Sequence, residues 1–241
     1  MEKTKMTPEE MVDKIEELFP NAECELHHEN AFQLLVAVVL SAQTTDASVN
    51  KVTPALFEKW PDAKSLASAP LEEVEDCLKR LGLYRTKSKN IIALSAALME
   101  QYDGQVPSTF KELQSLPGVG RKTANVVRSV AFDIPSLAVD THVDRVSKRL
   151  GLAKPEDPVE KVEEKLRRKL DRNRWNQAHH DLIFFGRYLC TARNPKCDQC
   201  PFPAVCKKKK LDEYLIAQKE KSASGKNAAE PKNAAKKTRS V

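Results

Sequence analysis

The stretch Leu-Pro-Gly-Val-Gly-Arg-Lys-Thr-Ala at residues 116–124 decides the fold, because it is a tight turn between two helical patterns. Gly118 and Gly120 lie one residue apart and let the backbone turn sharply with no side chains in the way. After the turn, Ala124 and Val127 recur at the spacing of a helix face. The stretch therefore predicts a helix–hairpin–helix.

The same turn predicts an anion site. Amide N–H groups at the start of the second helix can donate hydrogen bonds to a DNA phosphate. Such contacts bind DNA without specificity for its base sequence. A bare Gly-x-Gly is more often a plain helix connector, but here Leu-Pro precedes it and Arg-Lys follows it. The predicted DNA contacts at the turn are Gly118, Val119, Gly120 and Arg121.

The remaining chain predicts an all-α protein, because apolar residues recur at helical spacing and no convincing alternation of apolar and polar residues is found. A first helix places Met11, Ile15 and Leu18 on one face. The later patterns predict helices over residues 32–40, up to Trp60, and over 71–81, 87–102, 141–150, 159–170 and 177–188.

The net charge of +6 is a property of the C-terminal tail. Residues 207–241 hold 11 Lys and Arg against 4 Asp and Glu, whereas the remaining 206 residues hold 29 against 30. From Lys219 onward the tail has no apolar periodicity, which predicts disorder. DNA binding must therefore be argued from local motifs in the body.

The cysteines predict an iron–sulfur cluster. No signal peptide or membrane span fits the sequence, so we expect a cytoplasmic protein with reduced thiols. Cys190, Cys197, Cys200 and Cys206 have the spacing C-x6-C-x2-C-x5-C, whereas structural zinc, the alternative, usually uses two close pairs. Four thiolates suit a 4Fe-4S cluster. The two other cysteines, Cys24 and Cys77, are expected to be packed thiols.

Lys122 follows the hairpin directly and is the candidate nucleophile. Most lysines are protonated and merely solvated. Here the charge of Arg121 and the positive end of the following helix both oppose protonation, and burial in a cleft would add to them. A neutral amine at this position would suit Schiff-base chemistry.

The segment Val-Asp-Thr-His at residues 139–142 supplies a candidate carboxylate. Asp140 stands where a helix begins, so it is expected to cap that helix, and Thr141 with Asp144 could serve the same end. Capping does not exclude catalysis. A carboxylate facing Lys122 could stabilise positive charge on a sugar or assist proton transfer.

The hairpin, the Val-Asp-Thr-His segment and the cysteine spacing together resemble the endonuclease III family of DNA-repair enzymes. The resemblance covers roughly residues 11–206 and extends to Leu-Ser-Ala-Gln at 40–43 with Asp46, Gly-Leu-Tyr at 82–84, and His179-His180 ahead of Gly-Arg-Tyr at 186–188. Thr44 and Arg85 depart from the family pattern in otherwise similar stretches.

The resemblance implies a base-flipping DNA glycosylase and lyase that acts on double-stranded DNA with damaged pyrimidines or abasic sites. Lys122 would attack the sugar carbon that bears the damaged base, and Asp140 would assist. Gln43 would fill the hole left by the flipped nucleotide, while Leu83 would wedge into the stack. The implied DNA contacts also include Thr141 and His142.

The resemblance further implies two helical domains with the catalytic cleft between them. A six-helix barrel with the hairpin would span residues 21–133, and a cluster domain would combine 1–20 with 134–210. Residues 211–241 would form the basic, largely disordered tail. Arg187, Arg193 and Lys196 would add local positive charge for gripping DNA. The protein is expected to be a monomer that associates with the nucleoid.

Two other readings remain. An adenine-mismatch glycosylase shares the hairpin, aspartate and cluster, but it lacks a lysine at the position of Lys122 and has a further C-terminal domain for which 211–241 is too short. A non-catalytic iron–sulfur protein could use the hairpin and cluster only for DNA docking or redox sensing. The pairing of Lys122 with Asp140 favours the enzyme.

Overall fold

A computed structural model describes the backbone of residues 6–226 and the side chains through residue 220. This part of the chain is helical and contains no β-strand. Within the described residues, no helix combines the length and apolar character needed to cross a bilayer. The thirteen α-helices of residues 6–226 are α1 Pro8–Leu18, α2 Ala31–Leu40, α3 Asp46–Asn50, α4 Thr53–Lys59, α5 Ala63–Ala67, α6 Leu71–Leu78, α7 Tyr84–Tyr102, α8 Phe110–Ser115, α9 Arg121–Phe132, α10 Thr141–Arg149, α11 Val159–Lys169, α12 Trp175–Phe184 and α13 Lys208–Lys226.

The first of two apolar cores surrounds α2, which is apolar on nearly every face and almost wholly buried. Asn30 starts this helix by accepting a 3.0 Å hydrogen bond from the amide of Gln33. Helix α2 packs against α7 and α9, and α5 and α6 pack against the other side of α7. The helix that follows the hairpin is thereby fixed against the centre of the first core.

The second core joins the N-terminal helix to the C-terminal half of the chain. A capping box between Thr7 and Glu10, with Pro8 in the first turn, starts α1. Met11, Val12 and Ile15 of α1 are buried in the same cluster as side chains of α10, α11 and α12. The extended segment before α10 passes between the cores, so the two cores meet at residues 137 and 138.

Four sequence-based expectations need correction. Leu18 is 44% exposed, because the next residue, Phe19, takes the apolar contact and packs edge-on against Phe184. The helix expected before Trp60 is broken in two, since Pro54 fits the start of a new helix and not the interior of one. Helix α6 ends at Leu78 and not at Leu81, where a turn bond from Leu81 to Leu78 replaces the helical one.

The fourth correction concerns the tail, because α13 continues to Lys226, well past the predicted start of disorder at Lys219. Lysine, alanine, glutamate and glutamine all favour helix, so local propensity continues the helix without an apolar stripe. Leu211, in its first turn, is buried. The remainder of the predicted tail, residues 227–241, lies outside the described residues.

Candidate active site and cysteine loop

The hairpin between α8 and α9 has the geometry of an anion cradle. Gly118 has φ +76°, and a β-carbon there would lie 3.3 Å from Cβ of Asn90, so both conformation and space require glycine. Gly120 is the N-cap of α9 and has open space where a β-carbon would stand. Among the described residues, no side-chain hydrogen bond caps the start of α9. Its first amide groups therefore remain open to a ligand oxygen.

Lys122, the second residue of α9, is half-buried and lies close to the carboxylate of Asp46. Burial raises the pKa of Asp46, the ammonium of Lys122 acts in the opposite direction, and the carboxylate of Asp140 raises it further. His142 is near enough to lower the same pKa. The two predicted catalytic residues thus lie around one carboxylate that sequence reasoning had mentioned without assigning a role.

Asp140 is the N-cap of α10, as predicted. Its Oδ1 accepts hydrogen bonds of 2.8 Å from the amides of both His142 and Val143. Thr141 is exposed at the first helical position, and His142 is half-buried with Nδ1 3.2 Å from Arg145 Nη2. Both cap bonds use the same oxygen of Asp140, so capping holds the carboxylate in place without occupying both oxygens.

His179 supports the segment that leads to Asp140. The ring is buried, and Nδ1 donates a 2.8 Å hydrogen bond to the carbonyl oxygen of Ala138. Burial lowers the pKa of His179 well below its ordinary range, and the neighbouring charges of His180 and Lys122 act in the same direction. His179 is therefore a neutral anchor near Lys122, a function that the sequence alone did not reveal.

Arg187 joins the two halves of the site. It lies in a π-helical turn at Phe185–Leu189, a feature frequent at functional sites. Its Nη2 donates a 2.9 Å hydrogen bond to Asp46, and its guanidinium also pairs with Glu25, which accepts from the hydroxyl of Tyr188. The guanidinium of Arg187 is thus engaged by two carboxylates, and its predicted contact with DNA stays a prediction.

Arg121 is likewise engaged by a carboxylate. Its guanidinium makes a bidentate pair with Glu163 on α11, with both N···O distances 2.8 Å. Glu163 is buried and also accepts from Asn125 and Arg167. The positive charge of Arg121 is therefore offset by Glu163, and DNA contact by Arg121 stays a prediction.

Gln43 and Leu83 both lie exposed in left-handed conformations. Gln43 has φ 55° and Leu83 has φ 60°, and the leucine side chain is 60% exposed. A left-handed backbone is costly for a branched side chain, and such strain is concentrated at functional sites. The structure thus gives both predicted DNA-inserting residues an unusual conformation on the surface.

The loop of residues 190–206 brings four thiols into mutual electrostatic range. Burial raises the pKa of Cys200, and Cys190, Cys206 and Cys197 each raise it further. Arg149 donates to Cys190 Sγ at 3.3 Å, an N–H donor of the kind that stabilises a thiolate. Cys24 and Cys77 pack against the first core instead.

The donor set of this loop fits a cluster. Among the described residues, no three His, Cys, Asp or Glu side chains converge on a single metal ion. The cysteines of a 4Fe-4S cluster each bind a different iron, so they surround the cluster without meeting at one point. The Arg149 contact with Cys190 and the proximity of three cysteines to Cys200 are compatible with such a site.

Comparisons with known proteins agree with this geometry. Residues 36–172 match the model of the HhH-GPD superfamily of base excision DNA repair proteins, and residues 190–206 match the iron-sulfur binding domain of endonuclease III. Endonuclease III of Bacillus subtilis is 55% identical over 196 residues, covering 81% of this chain and 90% of the relative. Endonuclease III of Escherichia coli is 43% identical over 204 residues, covering 84% and 96%.

Two solved structures give the same result. A trapped endonuclease III–DNA covalent intermediate superposes with a TM-score of 0.82 at 50% sequence identity. A non-covalent endonuclease III–DNA complex superposes with a TM-score of 0.82 at 49% sequence identity. Each match covers 87% of this chain and 100% of the other.

Hairpin, cleft and cysteine loop together define a helix–hairpin–helix protein of base excision DNA repair. Within that class, the chain belongs to the endonuclease III family. It is a DNA glycosylase and abasic-site lyase, it binds DNA, and it carries a 4Fe-4S cluster.

Proposed function

We propose that this enzyme removes oxidised pyrimidines from double-stranded DNA and then nicks the strand through a Schiff base on Lys122. The observation that carries the proposal is the placement of Lys122 and Asp140 at the starts of α9 and α10, with both within electrostatic reach of Asp46. A nucleophile and a carboxylate on two rigid helix starts can be held in a fixed geometry across one sugar.

Lys122 is the proposed nucleophile and Asp140 the proposed electrostatic partner. The amine lone pair attacks the anomeric sugar carbon as the bond to the base breaks, and the departing base takes the bonding electrons and a proton. Positive charge that develops on the sugar is stabilised by the Asp140 carboxylate. The nitrogen lone pair then forms the C1′=N bond as the C1′–O4′ bond breaks and O4′ takes up a proton, which opens the sugar and gives the Schiff base. Loss of a C2′ proton then breaks the C3′–O bond, expels the 3′ phosphate and leaves a nicked strand.

DNA contacts are proposed at three places around this pair. The hairpin residues Gly118, Val119 and Gly120 and the open amides at the start of α9 face a backbone phosphate, with Arg121 beside them. Gln43 enters the space of the extruded nucleotide and Leu83 enters the base stack. On the other side of the site, the proposed contacts are Thr141 and His142.

The four thiolates of residues 190–206 are the proposed ligands of the cluster, which supplies a structural centre for a loop that has few apolar residues of its own. The two domains are proposed to be a barrel at 21–133 and a cluster domain at 134–210 that includes the N-terminal helix. The enzyme is proposed to act as a monomer, associated with the chromosome through DNA binding.

The deciding experiment is a borohydride trap on duplexes that contain one thymine glycol or one abasic site. Wild-type enzyme and Lys111→Ala, which removes an exposed lysine of α8, should form a covalent adduct with both duplexes. Lys122→Ala should form none while its circular dichroism stays helical. Cross-linking by Lys122→Ala would exclude Lys122 as the nucleophile. Excision of mispaired adenine in place of thymine glycol would favour the adenine glycosylase.

A further inference from the structure

Four non-glycine residues of the described chain have positive φ, and two of them are explained by helix ends. Asp103 directly follows α7 and Asp133 directly follows α9, and both donate the bonds that close those helices. A left-handed residue is common at that position, and aspartate tolerates it. Gln43 and Leu83 have no such explanation, so something else must hold their conformations.

Lys87 contacts the loops of both residues. Its backbone amide donates a 3.0 Å hydrogen bond to the carbonyl oxygen of Leu83, the first such bond of α7. Its ammonium donates to the hydroxyl oxygen of Thr44. The amide of Thr44 donates a 3.0 Å hydrogen bond to Ser41, closing a turn whose third residue is Gln43. Lys87 thus joins two loops that are 40 residues apart in sequence, one through its backbone amide and the other through its side chain.

The burial of Lys87 is unusual for a lysine. The residue is 4% exposed, and burial lowers the pKa of its amine. Within the described part of the chain, Thr44 is its side-chain partner and no carboxylate pairs with it. A buried ammonium with a neutral partner is a poor way to stabilise a fold, because an apolar chain of the same length avoids the desolvation. The contact therefore points to a role in positioning.

We propose that Lys87 is a positioning residue that locks Gln43 and Leu83 into a single preformed two-pronged wedge through Thr44. The inference rests on the DNA-inserting roles proposed above for Gln43 and Leu83. Without the brace, each loop can relax to an ordinary backbone conformation and must be reordered when DNA binds.

The test uses holoenzyme and five single variants, of which three alter the brace, one controls for charge and one removes part of the wedge. Lys87→Met keeps most of the side-chain length and removes the donor. Thr44→Val keeps the shape and removes the acceptor, whereas Thr44→Ser keeps the hydroxyl. Lys89→Met removes the same charge from the same helix at an exposed position and controls for electrostatics. Leu83→Ala calibrates the loss of one prong.

Single-turnover excision is measured on a duplex with thymine glycol, and nicking is measured on a duplex in which an abasic site faces a second abasic site. Only the first substrate requires a base to be separated from its partner. We expect Lys87→Met and Thr44→Val to slow excision about tenfold, and the double variant to be no slower than the worse single one. For Lys87→Met and Thr44→Val, the rate of nicking of the second duplex should stay within about twofold of the wild-type rate. For Thr44→Ser and Lys89→Met, the rates on both duplexes should stay within about twofold of wild type.

A 2-aminopurine placed opposite the lesion reports unstacking by the wedge, a signal that a general loss of stability would not change selectively. Its fluorescence rise should be reduced by Lys87→Met, Thr44→Val and Leu83→Ala. If Leu83→Ala reduces excision and fluorescence while Lys87→Met and Thr44→Val do not, the brace is refuted and the wedge stands. If Leu83→Ala also has no effect, both the wedge and its brace are refuted.

Discussion

Asp181 on α12 has a carboxyl group in a setting that makes the stability of the enzyme depend on pH. The residue is fully buried, its Oδ1 accepts a 2.8 Å hydrogen bond from Gln177, and its Oδ2 has no hydrogen-bond partner among the described residues. Burial raises the pKa of Asp181 from 3.8 to about 7, opposed by the Gln177 bond and Arg174 and assisted by the charge of Glu16.

The folded state therefore keeps a proton that the unfolded state has lost between about pH 4 and 7. Stability falls as pH rises across this window, and the loss is complete above the folded pKa of about 7. At about 1.4 kcal/mol per pH unit, the full difference corresponds to about 4 kcal/mol, an upper bound because water can enter an ionised site. Asp181→Asn removes this penalty while keeping the shape and a hydrogen-bonding oxygen.

We expect Asp181→Asn to raise the melting temperature strongly at pH 8 and little at pH 4.5. For a chain of this length, 4 kcal/mol corresponds to roughly 8 to 16 °C. The assay is circular dichroism melting of holoenzyme at matched scan rates, with Asp76→Asn, a carboxylate whose side chain is 80% exposed, as the control. If Asp181→Asn changes the melting temperature by the same amount at both pH values, the buried carboxyl does not titrate in this range.

Three further outcomes follow from the site. Asp140→Asn should slow excision of thymine glycol about a hundredfold but nicking of a preformed abasic site less than tenfold, because only base loss builds charge that the carboxylate stabilises; equal losses would contradict this role. Serine at any cysteine of residues 190–206 should lower the iron content, whereas Cys24→Ser and Cys77→Ser should not, and zinc in place of iron would exclude the cluster ligands. Deletion of residues 217–241, which carry 7 Lys and Arg against 2 Asp and Glu, should make binding to undamaged duplex less salt-dependent by about 0.9 in log–log slope per lost phosphate contact, with single-turnover excision unchanged. An unchanged slope would mean that this segment does not touch DNA.

The features that the sequence predicted well are those whose physical cause is local. Gly118 requires its φ because of its own turn, and Asp140 caps the helix that begins at the next residue. The all-α class also follows from local periodicity. In each case the residues that interact lie within a few positions of one another, so the pattern can be recognised in the sequence without knowledge of tertiary contacts.

The features that the sequence did not predict depend on distant partners. Arg187 and Asp46 are 141 positions apart, and Arg121 and Glu163 are 42 apart. A charged residue is interpreted as solvent-exposed unless the sequence indicates otherwise. The residues next to an arginine in the sequence do not indicate which distant carboxylate will pair with it. Sequence reasoning therefore missed the acidic partners of Arg121 and Arg187, while DNA contact by both residues stays a prediction.

The contacts of the cysteine loop connect the proposed cluster ligands to Asp140, the proposed catalytic carboxylate. Arg149, at the end of α10, donates to the carbonyl oxygens of Thr191 and Ala192, while the amide of Lys207 donates to the carbonyl oxygen of Arg149 at 2.5 Å. Both ends of the loop are thus tied to one end of a nine-residue helix about 14 Å long, whose other end is capped by Asp140. A short helix is stiff over this length. Because both loop ends contact the helix that Asp140 caps, order in the loop bears directly on the position of the proposed catalytic carboxylate.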